Sequence, residues 1–166
     1  VLYAEIDSLK SQLSAANYSI EKGFTKPIQD NGDFFVVYLE SDAIDGIDWE
    51  QYVQTWGYFE DQAEWLNTTF RLPHDVGIAL TECGEINAMY DSSQKAIFMC
   101  YEFMSYIDGL FDDVSESNRV IDFVFYHELG HALIDAYELP TTGPEEDAAD
   151  SFSAYIMADL TEGTSG

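Results

Sequence analysis

The chain has 166 residues, 46% hydrophobic and 15% aromatic, which is enough apolar surface for a packed domain and too much for a disordered acidic tail. Its 32 acidic residues face only 6 basic ones, and a net charge of −26 excludes nucleic acid and anionic membranes as partners. No apolar run reaches the length of a membrane span, so no membrane insertion is expected.

Residues 1–22 carry Leu2, Ile6, Leu9 and Leu13 at helical spacing and end near Gly23, so an N-terminal helix is predicted up to about residue 24. The chain begins at Val1 without an initiator methionine, which reads as a trimmed form that has lost a leader. Phe34 to Glu40 is a short β-branched and aromatic run after Asn31-Gly32, hence a strand. Asp48 to about Phe70 reads as one helix. Its stripe of Trp49, Tyr52, Val53, Trp56, Phe59, Ala63 and Leu66 suits a core face better than a ligand platform, and Pro73 follows its end.

Val76 to Thr81 is a predicted strand. Asn87 to Tyr90 and Lys95 to Glu102 are two more, joined by the turn-forming Asp91-Ser92-Ser93-Gln94. Cys83 and Cys100 flank this hairpin. Their partners could be each other, a metal or nothing. A disulfide across the hairpin base is the simplest pairing, because a zinc-cysteine site needs more ligands in close spacing. A disulfide implies an oxidising compartment, extracellular or periplasmic.

A short helix is predicted over Met104 to Phe111. The main helix follows, capped by Ser117 or Asn118 and running to about Tyr137. Leu139 to Pro144 breaks the chain. A last helix starts near Pro144 and runs to about Leu160, leaving 161–166 as a flexible tail. No repeat or linker divides the chain, so residues 1–166 read as a single domain of the α+β class. Asp30, Asp33, Asp42, Asp45, Asp48, Asp108, Asp112 and Asp113 fall in loop-like stretches. Calcium is a second reading of these acids, although none follows the spacing of a known calcium loop.

The main helix contains His127-Glu128-Leu129-Gly130-His131, an H-E-x-x-H motif. Residues i and i+4 share a helix face, so both imidazoles can address one zinc ion. Glu128 then stands beside the ion, where it can hold a water instead of binding the metal. The chain has three histidines in all, and apolar neighbours surround these two, which argues against a pair of surface histidines. A catalytic zinc takes three protein ligands, and the acidic stretch after the helix break offers the third. Glu146 and Asp150 lie at i and i+4 on the last helix. Glu146 is the predicted ligand, and Asp150 is the predicted acceptor for the spare N–H of a zinc histidine. Glu145 and Asp147 remain alternative ligands. Gly130, costly inside a helix, implies close approach of a strand or of the returning helix.

The pattern His127-Glu128-x-x-His131 followed by Glu146-x-x-Ala149-Asp150 resembles the gluzincin metallopeptidases, which include thermolysin. Residues 75–160, with the cysteine-flanked hairpin and the segment from Thr142 to Asp150, also resemble a bacterial family of metallopeptidases. The resemblance implies a zincin-like fold. Its small twisted mixed sheet would have an edge strand beside the motif helix, and a ligand-bearing helix would follow. Asn87-Ala88-Met89-Tyr90 resembles the family's edge strand, which implies that Asn87, Ala88 and Met89 bind the substrate backbone by strand addition.

The expected activity is zinc-dependent hydrolysis of peptide bonds in peptides or proteins, by a secreted monomer, with Glu128 as the base. A donor to the developing oxyanion is also needed, and Tyr155 and His74 are the candidates, ahead of Tyr126 and Tyr137. The rival reading is a non-catalytic, zinc-stabilised module that captures an extended peptide on its edge strand.

Overall fold

The computed structural model describes residues 31–163 apart from 43, 45 and 46, and side chains as far as 158. The predicted N-terminal helix, Asp30, Asp45 and residues 164–166 lie outside the described residues, while 161–163, expected in a flexible tail, continue the last helix. The elements are β1 (Phe34–Tyr38), α1 (Trp49–Trp56), α2 (Tyr58–Thr69), β2 (Val76–Thr81), β3 (Ala88–Asp91), β4 (Ala96–Cys100), α3 (Tyr101–Asp108), α4 (Val114–Ala136) and α5 (Glu145–Gly163). They form an α+β fold around a single four-stranded sheet of order β1-β2-β4-β3.

β1, β2 and β4 run parallel, and β3 pairs antiparallel with β4 at the sheet's edge. Burial explains why β2 is central. Val76, Ile78, Ala79 and Leu80 are all buried, the continuous apolar run expected of a strand covered on both faces. β3 is short and half-exposed, as an edge strand can be. The outer edge of β1 is partly closed by Asn67 of α2. Its amide accepts from the Phe34 N–H at 2.7 Å and donates to the Phe34 carbonyl at 2.9 Å.

α2 packs on β1, and α4 packs on β3 and β4. The two helices meet through Phe59 and Phe125, whose rings stand edge-on with centroids 5.5 Å apart. The Tyr126 hydroxyl also donates to Gln62 across this contact, at 2.8 Å. The core gathers Phe59, Leu66, Ile78, Leu80, Ile97, Met99, Phe125 and Leu129, all fully buried.

Several predicted boundaries move. The helix expected over Asp48 to Phe70 is two helices, because Gly57 turns left-handed at φ 71° between them. The aromatic stripe runs through the break, with Trp56 stacked on Tyr58 at 4.7 Å, so the pattern conceals it. Asp48 caps α1 by accepting from the Gln51 N–H. β4 stops at Cys100 and α3 begins at Tyr101, a turn earlier than predicted. The cap of α4 is Asp113, which accepts from the Ser115 N–H at 2.9 Å. Ser117 is instead buried inside the helix. α5 begins at Glu145, just after Pro144.

Cys83 and Cys100 are disulfide-bonded, with their α-carbons 5.5 Å apart. The bridge joins the segment after β2 to the end of β4. Glu102 reinforces it by accepting from the N–H groups of Cys83 and Gly84 at 3.0 and 2.6 Å. Among the described residues, no helix is long and apolar enough to cross a membrane.

Candidate metal centre

α4 and α5 make the most extensive contact between any two elements, and the centre lies across it. Gly130 permits this contact. A Cβ at that position would stand 3.0 Å from the Cα of Ala149 and 3.3 Å from its Cβ. The glycine inside the motif therefore answers to the returning helix.

Across that interface the histidines meet three carboxylates. Asp150 Oδ1 lies 2.8 Å from His127 Nδ1, and Glu145 Oε1 lies 2.7 Å from His131 Nδ1. A carboxylate only accepts, so each Nδ1 is the donor, which turns each Nε2 away from these two carboxylates. The two Nε2 atoms face each other at 3.2 Å. Glu146 completes the group, with Oε2 3.3 Å from His127 Nε2 and Oε1 3.5 Å from His131 Nε2. Two imidazole nitrogens and a carboxylate converge, a donor set that suits a cation. His127, His131 and Glu146 could hold a metal ion.

Glu128 faces the same space but is only 8% exposed. Burial pushes its carboxyl above the ordinary value, while the flanking imidazoles and a hydrogen bond from the Tyr90 N–H pull the other way. That bond, 2.8 Å to Oε2, ties the edge strand to the motif helix.

A cleft of about 660 Å³ runs past these groups. Its lining includes Ala88, Met89, Tyr90, Glu128, Asp135 and Glu146. The ladder shows which backbone groups of β3 face it. The Cys100 N–H donates to the Asn87 carbonyl, which makes 87 and 100 a hydrogen-bonded pair. Antiparallel pairs alternate, so Met89 and Asp91 are also bonded to β4, and Ala88 and Tyr90 point their backbone groups outward. The outward N–H of Tyr90 is the one that Glu128 accepts. Of the predicted substrate-binding residues, Ala88 and Met89 line the cleft and Asn87 does not.

The proposed oxyanion donors stand apart from it. His74 Nδ1 is 3.0 Å from the Asp75 carbonyl, and Tyr155 is half-buried on α5; neither lines the cleft. Tyr126 and Tyr137 are bonded elsewhere, to Gln62 and to the Arg71 carbonyl. Of the loop acids, Asp48 and Asp113 cap helices. One other group among the described residues has ligand spacing, Cys83, Cys100 and Glu102. Its two sulfurs are bonded to each other.

Three features escape a reading of the sequence. Glu145 holds His131, Tyr90 holds Glu128, and Asp135 accepts at 2.6 Å from both the Tyr90 hydroxyl and Lys95 Nζ. A trace was present in the first case, since Glu145 neighbours the predicted ligand. Asp135 lies seven residues after Glu128, on the same helix face, but nothing local marks Tyr90 as their shared partner.

The family model described as "Putative metallopeptidase" matches residues 38–165. The chain belongs to that family. The match begins at the last residue of β1 and takes in β2, β3, β4, the H-E-x-x-H helix and the carboxylates of α5. Membership in a metallopeptidase family implies a metal cofactor and a peptide or protein as substrate. No match was found among curated proteins or among solved structures.

Proposed function

We propose that this metallopeptidase is a zinc-dependent endopeptidase of the gluzincin type, with His127, His131 and Glu146 as the ligands and Glu128 as the catalytic base. The observation that carries this reading is the spacing of the three donor groups, two imidazoles and one carboxylate. Zinc bonds of about 2.0–2.1 Å at tetrahedral angles put ligand atoms about 3.3 Å apart. The two Nε2 atoms are 3.2 Å apart, and each meets its own oxygen of Glu146, Oε2 at 3.3 Å from His127 and Oε1 at 3.5 Å from His131.

A bound zinc ion supplies Lewis acidity, making water more acidic and the scissile carbonyl more electrophilic. The residues of this chain do the rest. Asp150 and Glu145 hold the two imidazoles in the tautomer that leaves Nε2 free. Glu128, shielded from bulk water, takes a proton from the attacking water and passes it to the leaving nitrogen. An extended substrate pairs with the outward backbone groups of Ala88 and the Tyr90 carbonyl, while Met89, 41% exposed, offers it an apolar contact. Such pairing reads backbone and needs no free terminus, which favours endopeptidase over exopeptidase action. The disulfide supports a site of action outside the cytoplasm.

Glu128→Gln is the test. It keeps the shape of the side chain and removes its basicity. Zinc content should stay at one ion per chain, while chelator-sensitive cleavage of a mixed peptide library falls at least about a hundredfold. Cleavage that survives in the variant ends the assignment of Glu128. A wild-type protein that binds peptides and zinc without cleaving them would instead be the binding module.

A further inference from the structure

Tyr90 touches the motif helix twice. Its backbone N–H donates to Glu128 Oε2 at 2.8 Å, and its hydroxyl donates to Asp135 Oδ2 at 2.6 Å. Seven residues separate the two acceptors, two helical turns or about 10 Å along the axis, so the tyrosine lies lengthwise on one face of α4. Asp135 Oδ2 also takes Lys95 Nζ at 2.6 Å.

Lys95 sits at φ 53°, a left-handed conformation that a residue with a side chain seldom adopts. Glycine would hold that turn without strain, but it would offer Asp135 no cation. The hairpin is therefore pinned to α4 at its turn by Lys95 and at mid-strand by Tyr90. The pinning falls where the ladder leaves a donor over. Tyr90 lies opposite Ile97 at a position whose N–H points away from β4, and Glu128 is its acceptor. With Oε2 engaged, Oε1 is the Glu128 oxygen that has no hydrogen-bond partner among the described residues.

We infer that Tyr90, Asp135 and Lys95 form a positioning clamp, which sets the Tyr90 N–H against Glu128 and so aims the other carboxylate oxygen into the cleft. The three are positioning residues, since each acts through Glu128. The role given to Glu128 rests on the peptidase reading, whereas the clamp itself rests on contacts alone.

The test has two arms, both on the full chain. Tyr90→Phe removes only the hydroxyl. Amide hydrogen exchange at position 90 should accelerate about tenfold, the loss of one hydrogen bond's protection. Exchange at Met89 and Asp91, whose N–H groups bond to β4, should stay within twofold. In the zinc-loaded protein, kcat should fall about tenfold with KM changed less than threefold and zinc affinity unchanged, as expected for a misaimed base. Lys95→Gly should give a smaller effect in the same direction, and Lys95→Arg should restore wild-type values.

Unchanged exchange at position 90 overturns the clamp. Equal acceleration at 89, 90 and 91 overturns it too, since that marks general loosening of the hairpin. Faster exchange at 90 with an unaltered kcat overturns the aiming. If the wild-type protein cleaves no peptide, the peptidase reading fails, and the exchange arm still decides whether the clamp exists.

Discussion

Ala149 occupies the space that a side chain on Gly130 would need, its Cα only 3.0 Å from where a Cβ would stand. Two effects oppose each other in Gly130→Ala. Alanine favours the helix by about 1 kcal/mol over glycine. The contact is with the backbone of α5, however, so the clash can be relieved only by moving a helix, and overpacking of this kind costs about 1–3 kcal/mol. The clash should win. Gly130→Ala should lower the stability of the metal-free protein by about 1 kcal/mol. It should also weaken zinc binding at least about tenfold, because Glu146 and Asp150 ride on the displaced helix. Chemical denaturation and chelator competition read the two effects, and a more stable variant with intact zinc affinity would refute the argument.

The carboxylates on the Nδ1 atoms should matter for metal affinity separately from the ligand carboxylate. Asp150→Asn and Glu145→Gln keep size and hydrogen bonding but remove the charge that favours the required tautomer. Each should weaken zinc binding about 10–100-fold, while Glu146→Ala, which removes a ligand, should weaken it further. Asp147→Asn is the control. Asp147 has no contact with either histidine, and its variant should bind zinc like the wild type. If Glu146→Ala retains full affinity and Asp147→Asn loses it, the ligand has been misassigned.

The parts of this centre that obey helical periodicity are legible in the sequence. His127 and His131 share a face by their spacing alone, and so do Glu146 and Asp150, once a short break is read as a reversal. Gly130 points to a close neighbour, a strand or the returning helix, and the neighbour is the helix. What the sequence hides lies across long separations or runs against a local pattern. Tyr90 and Glu128 are 38 positions apart, and their bond uses a backbone N–H, which no side-chain motif can encode. Gly57 breaks a helix whose aromatic stripe continues on both sides. Ser117 is a better cap by residue type than by position, because Asp113 already starts the helix one turn earlier.

The disulfide should contribute through the unfolded state. The bridge closes a loop of 17 residues, and chain-entropy arguments assign such a loop about 3 kcal/mol. The double variant Cys83→Ser, Cys100→Ser should therefore be about 3 kcal/mol less stable in denaturant, with secondary structure retained. The closed segment contains β3, so loosening should reach the cleft as a raised KM. Zinc affinity should change little, since every proposed ligand lies on α4 or α5. A fall in zinc affinity as large as that of Asp150→Asn would show that the hairpin supports the metal centre directly.

Asp135 predicts a pH dependence with a definite sign. Partial burial alone would raise its carboxyl, but hydrogen bonds from Lys95 and Tyr90 outweigh this and hold it below the ordinary range. A group with a depressed folded-state value adds stability that is present above its unfolded value, about 3.9 for aspartate. That stability is lost as pH falls through the folded-state value. The stability difference between wild type and Asp135→Asn should therefore persist from neutral pH to about pH 5, where His74 also contributes, and shrink in more acidic solution. The side chain is 32% exposed, so the plateau should be modest and should diminish in high salt. Lys95→Met should remove most of the same pH dependence while leaving the Tyr90 hydrogen bond in place. Urea titrations of the three proteins between neutral pH and about pH 3 decide it. A difference that grows on acidification would mean that the Asp135 carboxyl is raised in the folded protein, and that the Lys95 pairing is too weak to hold the hairpin against α4.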